Sequence, residues 1–101
     1  MAALQALVGL MVSKIEKVHD YIQVVLSDGT TLNIFNNIYY DGGSVHTIEG
    51  KKIGCAEEVG NKVTITFEDG DNLSIGMDDD DYNGPEALIL KRGGKPPVVW
   101  N

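Results

Sequence analysis

Shifted against itself by 41 positions, the chain registers two segments, 9–35 and 50–76, without a gap. Gly9 falls on Gly50, Val12 on Ile53, Glu16 on Glu57 and Val18 on Val59. Ile22 then meets Val63, Val24 meets Ile65, Leu26 meets Phe67, and Asp28-Gly29 meets Asp69-Gly70. Leu32 meets Leu73 and Ile34 meets Ile75. The matches are apolar positions and turn residues, which are what two copies of one backbone must hold in common. The 101 residues leave room for one domain and one core, 1–101, in which one small unit is built twice.

Each unit reads as strand, turn, strand, Asp-Gly turn, strand. Ile22, Val24 and Leu26 alternate with Tyr21, Gln23 and Val25, and Val63, Ile65 and Phe67 alternate with Thr64 and Thr66. A period of two over β-branched residues marks a strand with one buried face. Parity then chooses the turn. A two-residue hairpin centred on Asp28-Gly29 would put Val25 opposite Leu32 and scatter the apolar residues over both faces. A type I turn with Gly29 as a bulge sets Val24 opposite Leu32, and Ile22, Val24, Leu26, Leu32 and Ile34 share one face. The same reasoning applies to Asp69-Gly70. The opening strands are less regular: Val12, Ile15 and Val18 recur every three residues, as do Ile53, Ala56 and Val59, which fits a strand interrupted by a bulge.

Outside the repeats, Ala3 to Val8 is composed of good helix formers and suits a helical turn. Val45 to Ile48 is a second short apolar piece. Asn36 to Thr47 links the copies through turn formers placed around Ile38-Tyr39-Tyr40. Asp78 to Pro85 reads as a polar loop, and Ala87 to Leu90 and Pro97 to Trp100 as two short strands separated by Gly93-Gly94. The expected fold is all-β, or β-rich α+β if the N-terminal segment is helical. It is a duplicated antiparallel meander of about six to eight strands, forming a small sandwich or partial barrel.

Eight basic and fifteen acidic residues give a net charge of −7. Such a surface repels phosphate backbones, so nucleic acid is not an expected ligand and a basic protein is. The charge is unevenly placed: Val63 to Leu90 contains no Lys or Arg but holds Glu68, Asp69, Asp71, Asp78 to Asp81 and Glu86. No apolar run approaches the length needed to cross a bilayer as a helix. Met1 to Val12 lacks the charged start and cleavage site of a signal peptide. The lone Cys55 can form no internal disulfide, so the cytoplasm is the expected compartment.

No catalytic or metal constellation emerges. Asp79 to Gly84 imitates the opening of an EF-hand loop, but Leu90 stands where the bidentate Glu is needed and Pro85 where a ligating carbonyl is expected. His19 and His46 lie outside any zinc spacing, and His19 aligns with Gly60 as a turn residue. Cys55 reads as a buried thiol. No serine has a nucleophile-elbow context, and Gly42-Gly43 and Gly93-Gly94 lack phosphate-loop spacing. No catalytic residue, metal or cofactor is therefore expected. The residues suited to recognition are the carboxylates Asp78, Asp79, Asp80, Asp81 and Glu86, with Tyr82, Tyr39 and Tyr40 able to supply apolar contact among them.

Two Asp-Gly hairpins with upstream Gly-x-x-Val/Ile, followed by Tyr82-Asn83-Gly84-Pro85-Glu86-Ala87-Leu88, resemble small uncharacterised bacterial domains, some of them immunity-protein-like. That resemblance implies a protein-binding role and supplies no catalytic residues. The resulting expectation is a non-enzymatic, cytoplasmic immunity or inhibitor protein that neutralises a basic, nuclease-like toxin. The alternative is a self-associating structural domain that forms a homodimer through unpaired edge strands or apolar loop residues.

Overall fold

The computed structural model describes residues 2–101. Strands β1 (Val12–Val18), β2 (Tyr21–Leu26) and β3 (Thr31–Ile34) form the first meander. Strands β5 (Ile53–Val59), β6 (Lys62–Phe67) and β7 (Asn72–Gly76) form the second. Three short strands complete the described residues: β4 (Ile38–Tyr40), β8 (Leu88–Lys91) and β9 (Val98–Trp100). They assemble into two antiparallel sheets, ordered β1-β2-β3-β8-β9 and β4-β7-β6-β5, over one shared core. The count of nine exceeds the expected six to eight because Ile38-Tyr39-Tyr40, read as part of a linker, pairs with β7.

The turns follow the parity reasoning. Gly29 and Gly70 have φ of 90° and 96°, a left-handed geometry that a Cβ disfavours. The Asp28 and Asp69 carboxylates accept the N–H groups of Thr30 and Asp71 at 2.9 and 3.0 Å. Val24 lies opposite Leu32 and Ile65 opposite Leu73, all four buried. The predicted bulges are also present. Register jumps between Val12 and Lys14, and between Ile53 and Cys55, so Ser13 and Gly54 are the extra residues. One bulge brings Val12 and Ile15, or Ile53 and Ala56, onto the core face. It cannot do so twice: Val59, three residues further on, is 54% exposed. Cys55, next to the Gly54 bulge, is exposed rather than buried, because the extra residue turns its side chain away from the core.

The two halves are interlocked. The segment before each meander packs on the other one: the 3-10 segment Ala2–Leu7 lies against β5, and the 3-10 segment Val45–Ile48 against β1. Gly9 N–H donates to Ile53 O and Gly50 N–H to Val12 O, each at 2.8 Å. These are the same bond under the 41-residue shift. Between them, Met11 and Lys52 form an antiparallel bridge; each is the other's equivalent, so the bridge sits where the repeat maps onto itself. The fourth strands are exchanged as well. β4 follows β3 but pairs with β7, Ile38 beside Ile75, while β8 follows β7 but pairs with β3, Leu88 beside Ile34.

The exchange exposes an asymmetry. Ile38 comes four residues after Ile34, whereas Leu88 comes thirteen after Ile75. The second connection is nine residues longer, and it carries the aspartate run.

Candidate partner-binding end

The long connection between β7 and β8 is fastened to the β3–β4 turn by hydrogen bonds. Asn37 N–H donates to Asp81 O at 2.9 Å, and Asn83 Nδ2 donates to Phe35 O at 2.9 Å and Asn37 Oδ1 at 3.2 Å. The aspartates form a 3-10 turn, Asp79–Asp81. Its last residue points inward. Asp81 is 6% exposed, and its carboxylate accepts from Tyr39 Oη at 2.6 Å and from Asp78 N at 3.3 Å. A Cβ at Gly76 would collide with that carboxylate, so the absence of a side chain there is what lets Asp81 turn in. The hydrogen bond to Asp81, with burial and the same negative charge, holds the Tyr39 hydroxyl above the usual tyrosine range.

The eight residues expected to bind a partner thus divide into separate groups. Asp78, Asp79 and Asp80 are exposed, and Asp78 also accepts from Asn61 Nδ2 at 2.7 Å. Tyr39, 56% exposed, stands beside them through its bond to Asp81. Asp81 itself is structural cement, and Tyr82 is half-buried against the core. Tyr40 lies on the other side of β4. It donates to Asp71 Oδ2 at 2.9 Å and packs edge-on against Phe67, with ring centroids 6.4 Å apart. There Lys51 pairs with Asp69 and Asp71. The Asp69 hydrogen bond is the main cause that raises the Lys51 ammonium well above its usual range, and Lys51 in turn lowers Asp69. Glu86 lines a shallow depression with Asp20 and Pro85.

Sequence reasoning passed over a cleft of about 510 Å³ at the same end, walled by Asp20, Tyr21, Phe35, Asn36 and Lys17. The rings of Tyr21 and Phe35 lie 4.8 Å apart between centroids, tilted by 38°. Under the repeat the cleft has a counterpart of about 300 Å³, lined by Asn61, Lys62, Gly76 and Asp78. These four are the equivalents of Asp20, Tyr21, Phe35 and Asn37. The aromatic pair of the first copy is therefore a lysine and a glycine in the second, and Asp81 occupies the space above that glycine.

No family model, curated protein or solved structure matches this chain. The chain's internal repeat is then the comparison at hand, and the informative positions are those where its copies disagree. Tyr21 stands against Lys62 and Phe35 against Gly76 in the sequence, but the register keeps only its apolar and turn positions, and other outward-facing pairs such as Lys17 and Glu58 differ as well. Among the described residues no three His, Cys, Asp or Glu side chains converge as metal ligands do. Among them, too, no helix is long and apolar enough to cross a membrane.

Proposed function

We propose that the protein is a non-enzymatic immunity or inhibitor protein of the bacterial cytoplasm that engages a basic, nuclease-like protein toxin with its acidic end. What carries the reading is the nine-residue excess between β7 and β8: a loop the repeat does not need, pinned by Asp81 so that Asp78, Asp79 and Asp80 face solvent beside Tyr39. A preordered acidic patch favours encounter with a basic surface and loses little conformational freedom on binding. Exposed tyrosine beside the charges supplies contact area of the kind enriched at interfaces. An inhibitor of a nucleic-acid enzyme has to displace a polyanion, which an acidic surface is suited to do. The likeness of the Tyr82-to-Leu88 run to immunity-protein-like domains points the same way.

The partner is to be captured from the source cell and its association rate measured across a salt series. The variant replaces Asp78, Asp79 and Asp80 with Asn and leaves Asp81 in place. Slower association and a shallower salt slope are expected, since screening acts beyond a Debye length of about 8 Å at physiological ionic strength. Equal rates and slopes would remove the acidic loop from the interface.

A second reading, self-association, is favoured by one observation. β9 is an edge of the five-stranded sheet, and its Val99 is 45% exposed. Sedimentation of the isolated protein over a concentration series distinguishes the two, because a dimer through β9 forms without any partner and is lost in Val99→Lys.

A further inference from the structure

We propose that the cleft walled by the packed rings of Tyr21 and Phe35 is a guanidinium pocket, which receives one arginine side chain of the basic partner; this rests on the partner's basic character argued above. Four features of the cleft converge on that chemistry. The tilted, half-buried rings of Tyr21 and Phe35 offer π faces to a flat cation, and arginine stacks on aromatic faces better than lysine does. Asp20 stands at the wall with an exposed carboxylate, and Glu86 follows in the neighbouring depression, which shares Asp20, Phe35 and Asn83 with the cleft. Asn36, only 3% exposed, also lines the cleft. Its Nδ2 is committed to Gly76 O at 2.8 Å, while its Oδ1 has no hydrogen-bond partner.

A buried acceptor without a donor is costly, and native structures seldom leave one. A guanidinium carries five N–H donors and no acceptor, so with a small shift of the wall that covers Asn36 Oδ1 it can satisfy that atom and the Asp20 carboxylate together. Lys17 is the one basic residue in the wall and Asp20 the one carboxylate, both exposed, and Glu86 adds a second negative charge from the neighbouring depression.

The second copy argues that the cleft is not a by-product of the fold. The same backbone there presents Lys62 for Tyr21, Gly76 for Phe35 and Met77 for Asn36, and it places Asp81 over Gly76. Ring pair, orphan acceptor and acidic rim occur together in the first copy alone.

The test titrates the full chain with the blocked tripeptide Gly-Arg-Gly and its Gly-Lys-Gly counterpart, following backbone amide shifts by NMR. Saturable shifts at Asp20, Tyr21, Phe35 and Asn36 are expected, with arginine preferred by about fivefold or more. Phe35→Leu and Asp20→Asn should each weaken the arginine peptide by about fivefold, at an unchanged melting temperature. Equal binding of the two peptides, wild-type affinity in both variants, or shifts centred on Asp78 to Asp80 would overturn the pocket. The triple Asn variant of the loop separates this proposal from the one it rests on. That variant should keep tripeptide binding within about twofold, because the loop charges act from outside the cleft. Tripeptide binding retained together with an unaltered partner on-rate removes the acidic loop and leaves the pocket. A slowed on-rate with no tripeptide binding does the reverse.

Discussion

Tyr39 Oη donates to Asp81 Oδ1 at 2.6 Å, joining the exposed tyrosine of β4 to the buried end of the aspartate run. The consequence for titration has a definite sign. The folded protein holds the Tyr39 proton more tightly than the unfolded chain, whose value is near 10.0. Stability from this bond is therefore fully present below that pH and is lost as pH rises through the raised folded value. Tyrosinate absorbance of wild type minus Tyr39→Phe should titrate above the ordinary tyrosine range. In an Asp81→Asn background Tyr39 should titrate lower than it does in the wild type. An unshifted difference curve in the wild type would mean that the bond does not form in solution.

Gly76 and Asp81 are coupled by close approach. A Cβ at Gly76 meets the carboxylate directly, and β7 cannot move away because Gly76 lies opposite Lys62 in the ladder. Gly76→Ala should cost on the order of 1–3 kcal/mol, the range for overpacking a filled site. Removing the obstacle changes the outcome: Asp81→Gly should absorb much of that penalty, so the double variant should be more stable than the sum of the singles predicts. Urea midpoints of the four proteins decide it, and simple additivity would mean that the loop lifts off freely.

His19 holds φ of 53° and its repeat equivalent Gly60 holds 60°, in matching two-residue turns that leave Val18 opposite Tyr21 and Val59 opposite Lys62. The left-handed conformation costs an L-residue about 1–2 kcal/mol, part of which glycine returns as unfolded-state entropy. His19→Gly should therefore stabilise by about 0.5–1 kcal/mol, and Gly60→Ala should destabilise by a similar amount. A loss of stability in His19→Gly would show that the imidazole makes a contribution larger than the strain.

Much of the fold was legible because duplication doubles the signal. The apolar parity around Asp28-Gly29 and Asp69-Gly70 selects one turn, and the three-residue spacing of Val12 and Ile15 reports the bulge at Ser13. Strand exchange was not legible. Ile38-Tyr39-Tyr40 and Leu88 to Leu90 carry no mark of which sheet they join, since pairing with either parent meander buries the same side chains. The acidic run was visible as charge, but the inward turn of Asp81 depends on the missing side chain of Gly76, fully five positions away. The aromatic cleft depends on Tyr21 and Phe35 meeting across β2 and β3, at positions that alternation alone assigns to the polar face.

The exchange of segments leads to the last prediction. Cutting the chain between Gly42 and Gly43 yields one half with the first 3-10 segment, β1, β2, β3 and β4, and another with the remainder. Neither half owns the pieces that cover its meander. The first half lacks β8 beside β3 and Val45–Ile48 against β1; the second lacks β4 beside β7 and Ala2–Leu7 against β5. Leu4, Leu7, Ile48, Leu88 and Leu90 are all fully or almost fully buried in the intact protein. In a separated half each would face water or leave its acceptor strand uncovered, at about 1.5–3 kcal/mol for every large apolar side chain. A net stability of only about 5–15 kcal/mol cannot absorb several such losses. Each half should therefore be unfolded alone, with collapsed amide dispersion, and the two should co-fold into a one-to-one complex on mixing. Either half giving a dispersed spectrum and a cooperative melt as a monomer would show that the meander is self-sufficient and that the crossing at Met11 and Lys52 is dispensable.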